Sequence, residues 1–180
     1  MTSEQITTKL SNNTADLKQF MNSQQDIFWE YKPSQDKWTS GQHVIHLVQS
    51  SEPLLKALRL PGFLLRWRFG KSNRPSRTYI EIIQRYREKL AAAGPGVVGP
   101  FSRNMPLSAA NEQPLWFDKL ENINYKINKE TSKLSDSQLD TLLLPHPLMG
   151  RMTLREMLMW NAYHTEHHHN VLQNLYTKIN

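Results

Sequence analysis

Apolar side chains recur three and four residues apart through most of this chain, which is the spacing typical of amphipathic helices. The first such stripe predicts a helix from about Thr7 to Tyr31, and the following Lys32-Pro33 ends it because proline disfavours helix at the residue before it. Further stripes predict helices over residues 40–60, 78–93, 115–133 and 153–176. Since no segment shows the alternation of a strand, the sequence predicts an all-α fold.

Capping residues mark where several of these helices begin. Thr39-Ser40 offers an N-cap, and Ser135–Gln138 and Thr153–Glu156 have the pattern of a capping box. The helix that opens at Ser135 is expected to be short and to end at Pro145. Four long helices with short additional ones indicate a four-helix bundle. With 180 residues, the chain suits one domain, which we place over residues 1–180.

Two segments interrupt the helical pattern. In residues 63–77, aromatic side chains alternate with arginines, so we expect an irregular or briefly helical stretch. Residues 94–114 contain seven glycines and prolines, a density that predicts a long Gly/Pro-rich loop without regular structure. A loop of that length in a small domain is usually either functional or disordered.

Composition excludes several classes of protein. The chain has no cysteine, which rules out disulfides, a Cys-based zinc finger and a Cys nucleophile. No apolar run approaches the roughly 18 residues that cross a bilayer. The first residues also lack the basic start and apolar stretch of a secretory signal. We therefore expect a cytoplasmic protein with no membrane partner.

The positive charge is concentrated in one region. The formal net charge is +6, but residues 56–89 hold ten basic and two acidic residues, a local charge of +8 against −2 for the rest. Arginines interleaved with Trp67 and Phe69 can contact phosphates and stack on bases. Binding of nucleic acid or an acidic partner through residues 56–89 is therefore one hypothesis. No helix-turn-helix, RRM or zinc-finger signature accompanies the segment, so this hypothesis is the less favoured one.

Four of the seven histidines lie close together in the last predicted helix. At about 100° per residue, His164 and His168 straddle its apolar stripe, while His167 lies at the edge and His169 points further away. Two imidazoles four residues apart on one helix face can converge on one metal ion. Burying two imidazoles without partners would cost about 1–3 kcal/mol each, so this pair is expected to have a common partner.

His46 is the candidate for a third ligand. It lies midway along the second predicted helix among apolar residues, and bundle metal sites are built from inward side chains on facing helices. A single core-facing histidine is, however, more often simply hydrogen-bonded. Three protein ligands with an open position are typical of a catalytic metal. Imidazole suits zinc, nickel, copper or iron, and spacing alone does not choose between them.

Two motifs together resemble the DinB/YfiT-like superfamily of metal-dependent enzymes. The first runs from Trp38 to Leu47, and the second joins the His146-Pro-Leu-Met-Gly turn to the helix that contains Tyr163-His164 and His168. The resemblance implies a four-helix bundle in which a His-Leu pair on the second helix and an HxxxH pair on the last helix hold a divalent metal, often nickel or zinc. The implied metal ligands are His46, His164 and His168.

The resemblance also implies the chemistry. Members include hydrolases, thiol S-transferases and a thiol-dependent isomerase, so we expect a small-molecule substrate and a metal that activates water or a thiol cosubstrate. The basic segment would then steer an anionic thiol or an anionic substrate toward the site. The alternative is a bundle that binds metal without catalysing a reaction. A homodimer is a further expectation, which rests only on the fact that such bundles often pair through their helices.

The remaining candidates have smaller predicted roles. For His43, three residues before His46, there are two alternatives, the surface and the same pocket, and the surface is favoured. His146, between two prolines, is expected to cap a turn. His167 is a candidate for a residue that contacts a ligand histidine or carries protons. Glu166 is expected to be solvated.

Overall fold

Eight α-helices and one β-hairpin make up the part of the chain that the computed structural model describes, which is residues 1–94, 102 and 105–179. A short 3₁₀ turn over Ala110–Glu112 precedes the sixth helix. The elements are α1 (Ser3–Asn22), α2 (Asp26–Glu30), α3 (Ser40–Leu58), α4 (Gly62–Phe69), α5 (Tyr79–Ala93), α6 (Gln113–Thr131), α7 (Asp136–Thr141), β1 (Leu143–His146), β2 (Gly150–Thr153) and α8 (Leu154–Ile179).

Four long helices form the bundle that the periodicity predicts. α1 packs on α6 and α8, and α3 packs on the same two helices from the other side, so the four close a ring. α5 lies outside this ring against α8. Apolar side chains fill the interior, for example Leu17, Val44 and Leu120, each with no more than 1% of its surface exposed. The predicted all-α four-helix bundle is therefore confirmed.

Capping boxes fix the starts of the two helices that matter most for the site. At α3, Thr39 Oγ1 accepts the Gln42 backbone N–H, and Gln42 Oε1 accepts that of Thr39. At α8, Thr153 and Glu156 exchange the same pair of bonds. Each cap is worth about 1 kcal/mol. Both starts lie where the sequence predicts them.

The prediction of one helix from Thr7 to Tyr31 is wrong. The segment divides into α1 and α2, with a break at residues 23–25. Ser23 Oγ and Gln24 Nε2 both donate to the Phe20 carbonyl, at 2.7 and 2.8 Å. Polar side chains that bond nearby backbone in this way compete with the helical pattern. α2 then turns so that Trp29 packs against Gly41, where a Cβ atom would clash with the indole.

The expectation that the chain forms no strand is also wrong. β1 and β2 pair antiparallel, from Leu143 opposite Thr153 to His146 opposite Gly150. The short helix before them ends at Thr141 rather than at Pro145. Each strand has only four residues, too few for an alternating pattern to be visible in the sequence. The hairpin turns at Gly150, which has a φ of +75°, and continues directly into α8.

The two predicted interruptions have different outcomes. Within residues 63–77 the chain is briefly helical as α4. Of the predicted loop at 94–114, residues 95–101 and 103–104 lie outside the described residues. The predicted loop ends too late in the sequence, because α6 already begins at Gln113. Pro114 lies in the first turn of α6, where proline is tolerated. No helix among the described residues combines the length and apolarity that crossing a membrane requires.

Candidate metal centre

Three histidine side chains from two helices meet inside the bundle. His46 comes from α3, and His164 and His168 come from successive turns of α8. The Nε2 atom of His164 lies 3.1 Å from Nε2 of His46 and 3.1 Å from Nε2 of His168. The candidate ligand atoms of all three residues lie within 4.8 Å of one another. Two nitrogens bound to one zinc ion are about 2.9–3.4 Å apart, since each Zn–N bond is about 2.0–2.1 Å.

Polar contacts in the core set the relative position of the helices that contribute these residues. Ser51 Oγ on α3 donates to Asn161 Oδ1 on α8, at 3.1 Å. Asn13 Nδ2 on α1 donates to the Ala162 carbonyl, at 2.8 Å. Each bond joins an element to α8 within one turn of His164. Because the bonded atoms are buried, a shift of α8 along its axis would leave them without partners.

The opposite ring nitrogens of the three histidines also have neighbours. His46 Nδ1 lies 2.6 Å from Ser102 Oγ, and His168 Nδ1 lies 2.8 Å from Nδ1 of His43. His164 Nδ1 is 3.5 Å from Ser50 Oγ. A metal-bound histidine almost always donates its other N–H to such a partner, which fixes the tautomer and the ring orientation. The arrangement therefore leaves each Nε2 lone pair directed toward the shared centre.

Burial keeps these imidazoles neutral. Loss of hydration lowers the pKa of His46 to about 3, helped by the nearby His43 and His167. Burial and then the neighbouring histidines hold the pKa of His164 and of His168 well below the usual range. Neutral imidazole is the form that binds metal.

Without a cation, the three converging Nε2 atoms cannot all form good hydrogen bonds with one another. A neutral imidazole nitrogen has one lone pair or one N–H. In the absence of a shared ion, His164 Nε2 would have to serve both His46 and His168 with a single lone pair or a single N–H. One divalent cation accepts all three lone pairs at once. The residues present therefore fit a divalent metal ion.

Aromatic rings hold the three histidines in place. The Trp38 ring centre lies 4.8 Å from that of His46 and 6.4 Å from that of His168. On the other side, Trp160 stacks on His164 with the ring centres 4.6 Å apart. The sequence interpretation did not single out Trp160. Its position one helical turn before His164, on the same apolar stripe, was the available signal.

A cavity of about 770 Å³ adjoins the histidines. Its walls come from α3, α5, α8, β1 and the turn that follows β1, together with Phe69 of α4. Apolar side chains form most of the lining, and none of the described residues that line it carries a carboxylate. The three candidate ligands and His167 lie on its wall, so a bound cation would be reachable from this space.

Two of the other histidines lie closer to the centre than the sequence alone could show. The expectation that His43 lies at the surface is wrong, because it is half-buried and its Nδ1 contacts His168. Burial, assisted by the nearby His167, lowers the pKa of His43 to about 4. The ring of His167 lines the cavity, with its centre 5.3 Å from that of His168.

His146 lies on the hairpin turn, as expected. Its Nδ1 accepts the backbone N–H groups of Leu148 and Met149, at 3.1 and 3.0 Å. The expectation that Glu166 is solvated holds only in part, because 35% of its side-chain surface is exposed. It forms an ion pair with Lys9 at 2.9 Å and accepts a hydrogen bond from the Tyr79 hydroxyl.

Part of the basic segment has a structural role. Arg74 and Arg77 both bind the carboxylate of Glu156, whose side chain is fully buried. Arg74 is therefore not free to steer an anionic thiol toward the site. Arg66 and Arg68, in contrast, lie exposed on α4 beside Trp67, whose surface is 82% exposed.

Comparisons with known proteins agree with this architecture. The family model described as the DinB superfamily matches residues 9–172. A solved structure of YfiT from Bacillus subtilis, described as "a probable metal-dependent hydrolase with an unusual four-helix bundle topology", superposes with a TM-score of 0.64. The two chains are 18% identical, and the match covers 98% of this chain and 87% of YfiT. At this identity the likeness shows a shared fold. A comparison with curated proteins gave no significant match.

Proposed function

Since this chain belongs to the DinB superfamily, we propose that it is a metal-dependent enzyme of hydrolase type. His46, His164 and His168 would hold one divalent cation, with coordination positions left for water and substrate. The observation that carries this proposal is the convergence of three Nε2 atoms at the wall of a cavity. The description of YfiT as a probable metal-dependent hydrolase supports the reaction class. Nickel and zinc both suit imidazole ligands.

A divalent cation held by three neutral imidazoles supplies Lewis-acid chemistry, because it lowers the pKa of a coordinated water or thiol and polarises a substrate oxygen. The protein would contribute the orientation of its ligands. With Nε2 on the cation, Nδ1–H of His46 and of His168 would donate to Ser102 and to His43, respectively, and so hold each Nε2 toward the centre. Trp38 covers the ligand rings and would limit the access of bulk water.

His167 is our candidate for the residue that accepts a proton from the nucleophile. Its ring lines the cavity beside His168. Burial lowers the pKa of His167, and the positive charge of Arg87 lowers it further, so a ring nitrogen is free to take up a proton at neutral pH. Burial, assisted by the neighbouring Tyr163, raises the pKa of Tyr86 to about 12. The Tyr86 hydroxyl therefore stays protonated and can donate to a substrate oxygen.

A thiol could replace water as the nucleophile. The chain contains no cysteine, so the thiol would have to come from a cosubstrate, and the enzyme would then be a thiol S-transferase. The cavity adjoins the histidines and has room for such a molecule. Water requires no second substrate to be recognised, which is why we favour the hydrolase.

Metal analysis of the untagged protein tests this proposal. We expect about one equivalent of divalent metal in the wild type and little in His164→Ala or His168→Ala. His169→Ala is the matched control, because this histidine lies on the same helix but packs against Phe20 instead. Equal metal content in all four proteins would end the proposal.

Assays of the loaded protein then separate an enzyme from a binding protein. Chromogenic esters, amides and phosphodiesters should be hydrolysed at a rate that falls with metal removal and returns when metal is restored. Full metal occupancy without turnover of any substrate class would favour a metal-binding bundle without activity.

The exposed face of α4 favours a second candidate function, the binding of nucleic acid or another polyanion. Trp67 and Phe63 are 82% and 71% exposed, and Arg66 and Arg68 lie beside them. Titration of labelled single-stranded DNA or RNA at several salt concentrations tests this function. A steep fall in affinity with increasing salt concentration would support polyanion binding. The absence of binding at low salt would contradict it.

A further inference from the structure

The cavity beside the histidines is elongated. α3 and α8 run antiparallel along it, because His46 near the start of α3 meets His164 and His168 while Ser51 pairs with Asn161 further on. Cavity-lining residues on α3 extend from His46 to Ala57, eleven residues further on. At 1.5 Å per residue this is a path of about 16 Å along the helix. The three histidines lie at one end of that path.

The walls beyond the histidines are apolar. Side chains from five elements contribute, and they include Leu54, Ala57, Phe69, Leu90, Leu144 and Met157. Among the described lining residues, the one ammonium or guanidinium group belongs to Lys56, which is exposed at the rim, ten residues from His46. A molecule lying along this path would therefore exchange water for hydrocarbon over most of its length.

Polar substrates fit such walls poorly. Apart from a few polar groups such as Ser50, Tyr86 and His146, hydroxyl groups of a sugar-like molecule would lie against hydrocarbon with few hydrogen-bond partners, which lowers affinity. A cationic substrate would find no carboxylate among the described lining residues. At the histidine end, three neutral imidazoles leave the charge of a divalent cation uncompensated, so that end favours an anionic group.

We propose that the substrate class is a linear, largely aliphatic molecule with one anionic head group. The head group would lie at the histidine end and the tail would follow α3 toward Lys56. This inference rests on the proposed function, because it assumes that the three histidines hold a cation. It goes further by excluding polyhydroxylated and cationic substrates.

A series of simple carboxylates tests the proposal without a known substrate. The protein is loaded with Co²⁺, and its visible absorption is followed during titration with acetate, butyrate, hexanoate and octanoate. Burial of each added CH₂ group should tighten binding about fourfold until the tail fills the cavity. Octylamine, which has a similar tail and the opposite charge, should bind at least tenfold more weakly than octanoate.

Two variants test whether the aliphatic tail lies in the cavity. Ala57→Phe adds a ring to the lining far from the histidines and should weaken octanoate binding at least tenfold. The affinity for acetate and the Co²⁺ content should stay unchanged. Ala91→Phe is the matched control, because Ala91 is exposed on α5 and is not among the lining residues. We expect this control to behave like the wild type.

The outcomes separate this inference from the proposed function. A wild-type protein that takes up no Co²⁺ contradicts the proposed function itself. A protein that binds Co²⁺ and acetate but shows no gain with chain length contradicts only the substrate class, and so does octylamine binding as tightly as octanoate. The wild-type series decides the question even if Ala57→Phe does not fold.

Discussion

Replacement of Glu156 by glutamine should strongly destabilise the fold. The carboxylate is fully buried at the start of α8. Arg74 donates to it from both terminal nitrogens, at 2.6 and 2.9 Å, and the backbone N–H of Arg77 donates at 2.8 Å. The backbone N–H of Thr153 adds a fourth bond at 3.1 Å. Glutamine has nearly the same shape but is neutral, and its amide group would face guanidinium donors.

The expected loss is about 3 kcal/mol. Breaking a buried ion pair from one side costs about 3–5 kcal/mol. The low end applies here, because the side chains of Arg74 and Arg77 are 32% and 27% exposed and water can partly solvate them once the carboxylate is gone. For a chain of this size, that loss lowers Tm by about 6–12 °C.

Urea and thermal unfolding followed by far-UV circular dichroism would measure the loss. Glu88→Gln, an exposed carboxylate on α5, is the control and should change the free energy of unfolding by less than about 0.5 kcal/mol. If Glu156→Gln is as stable as this control, the reasoning that the ion pair anchors α8 is refuted.

The same carboxylate predicts a pH dependence. Burial alone would raise the pKa of Glu156, but hydrogen bonds from Arg74 and from the backbone of Arg77 and Thr153 outweigh it and hold the pKa below the usual value. The stabilisation is therefore complete above the pKa of the unfolded chain and is lost as pH falls through the lower pKa of the folded protein. Stability of the wild type should fall more steeply with acid than that of Glu156→Gln. Parallel acid unfolding profiles would contradict this assignment.

Three further substitutions separate the site from the scaffold. Ser102→Ala removes the acceptor for His46 Nδ1 and should weaken metal affinity about 10- to 100-fold with little loss of stability; unchanged affinity in a competitive chelator titration would argue against the role of Ser102. His167→Ala should keep its metal but lose hydrolytic rate about 100-fold, and a rate equal to that of the wild type would exclude His167 as the proton acceptor. Gly41→Val places a side chain against Trp29 and should cost at least about 1–3 kcal/mol in urea unfolding; a neutral effect would mean that α2 repacks freely.

The cluster of three histidines could be predicted in part, because the placement of two of them is local. The four-residue spacing of His164 and His168 places both on one face of any helix, whatever packs against it. His46 was a candidate because it lies in the apolar pattern of a second helix. That it meets the other two depends on how α3 crosses α8, which is set by contacts such as Ser51 with Asn161. Helical periodicity alone does not specify that crossing.

The contacts that the sequence did not predict are those between distant segments. Thr153 and Glu156 were recognisable as a capping box, but Glu156 also binds Arg74 and Arg77, which lie about 80 residues earlier. The position of His43 on α3 does not reveal its contact with His168, because that contact depends on how α3 packs against α8. His43 was therefore expected at the surface. The break after α1 depends on Ser23 and Gln24 competing for one carbonyl, a balance too fine for periodicity to show.

X-ray absorption at the metal edge of the zinc-loaded protein tests the central claim most directly. The account predicts three imidazole nitrogens at about 2.0–2.1 Å from the zinc, with the remaining positions filled by oxygen. The same spectrum from His164→Ala should show fewer imidazoles. A zinc ion surrounded mainly by oxygen in the wild type would contradict the claim that His46, His164 and His168 form the metal site.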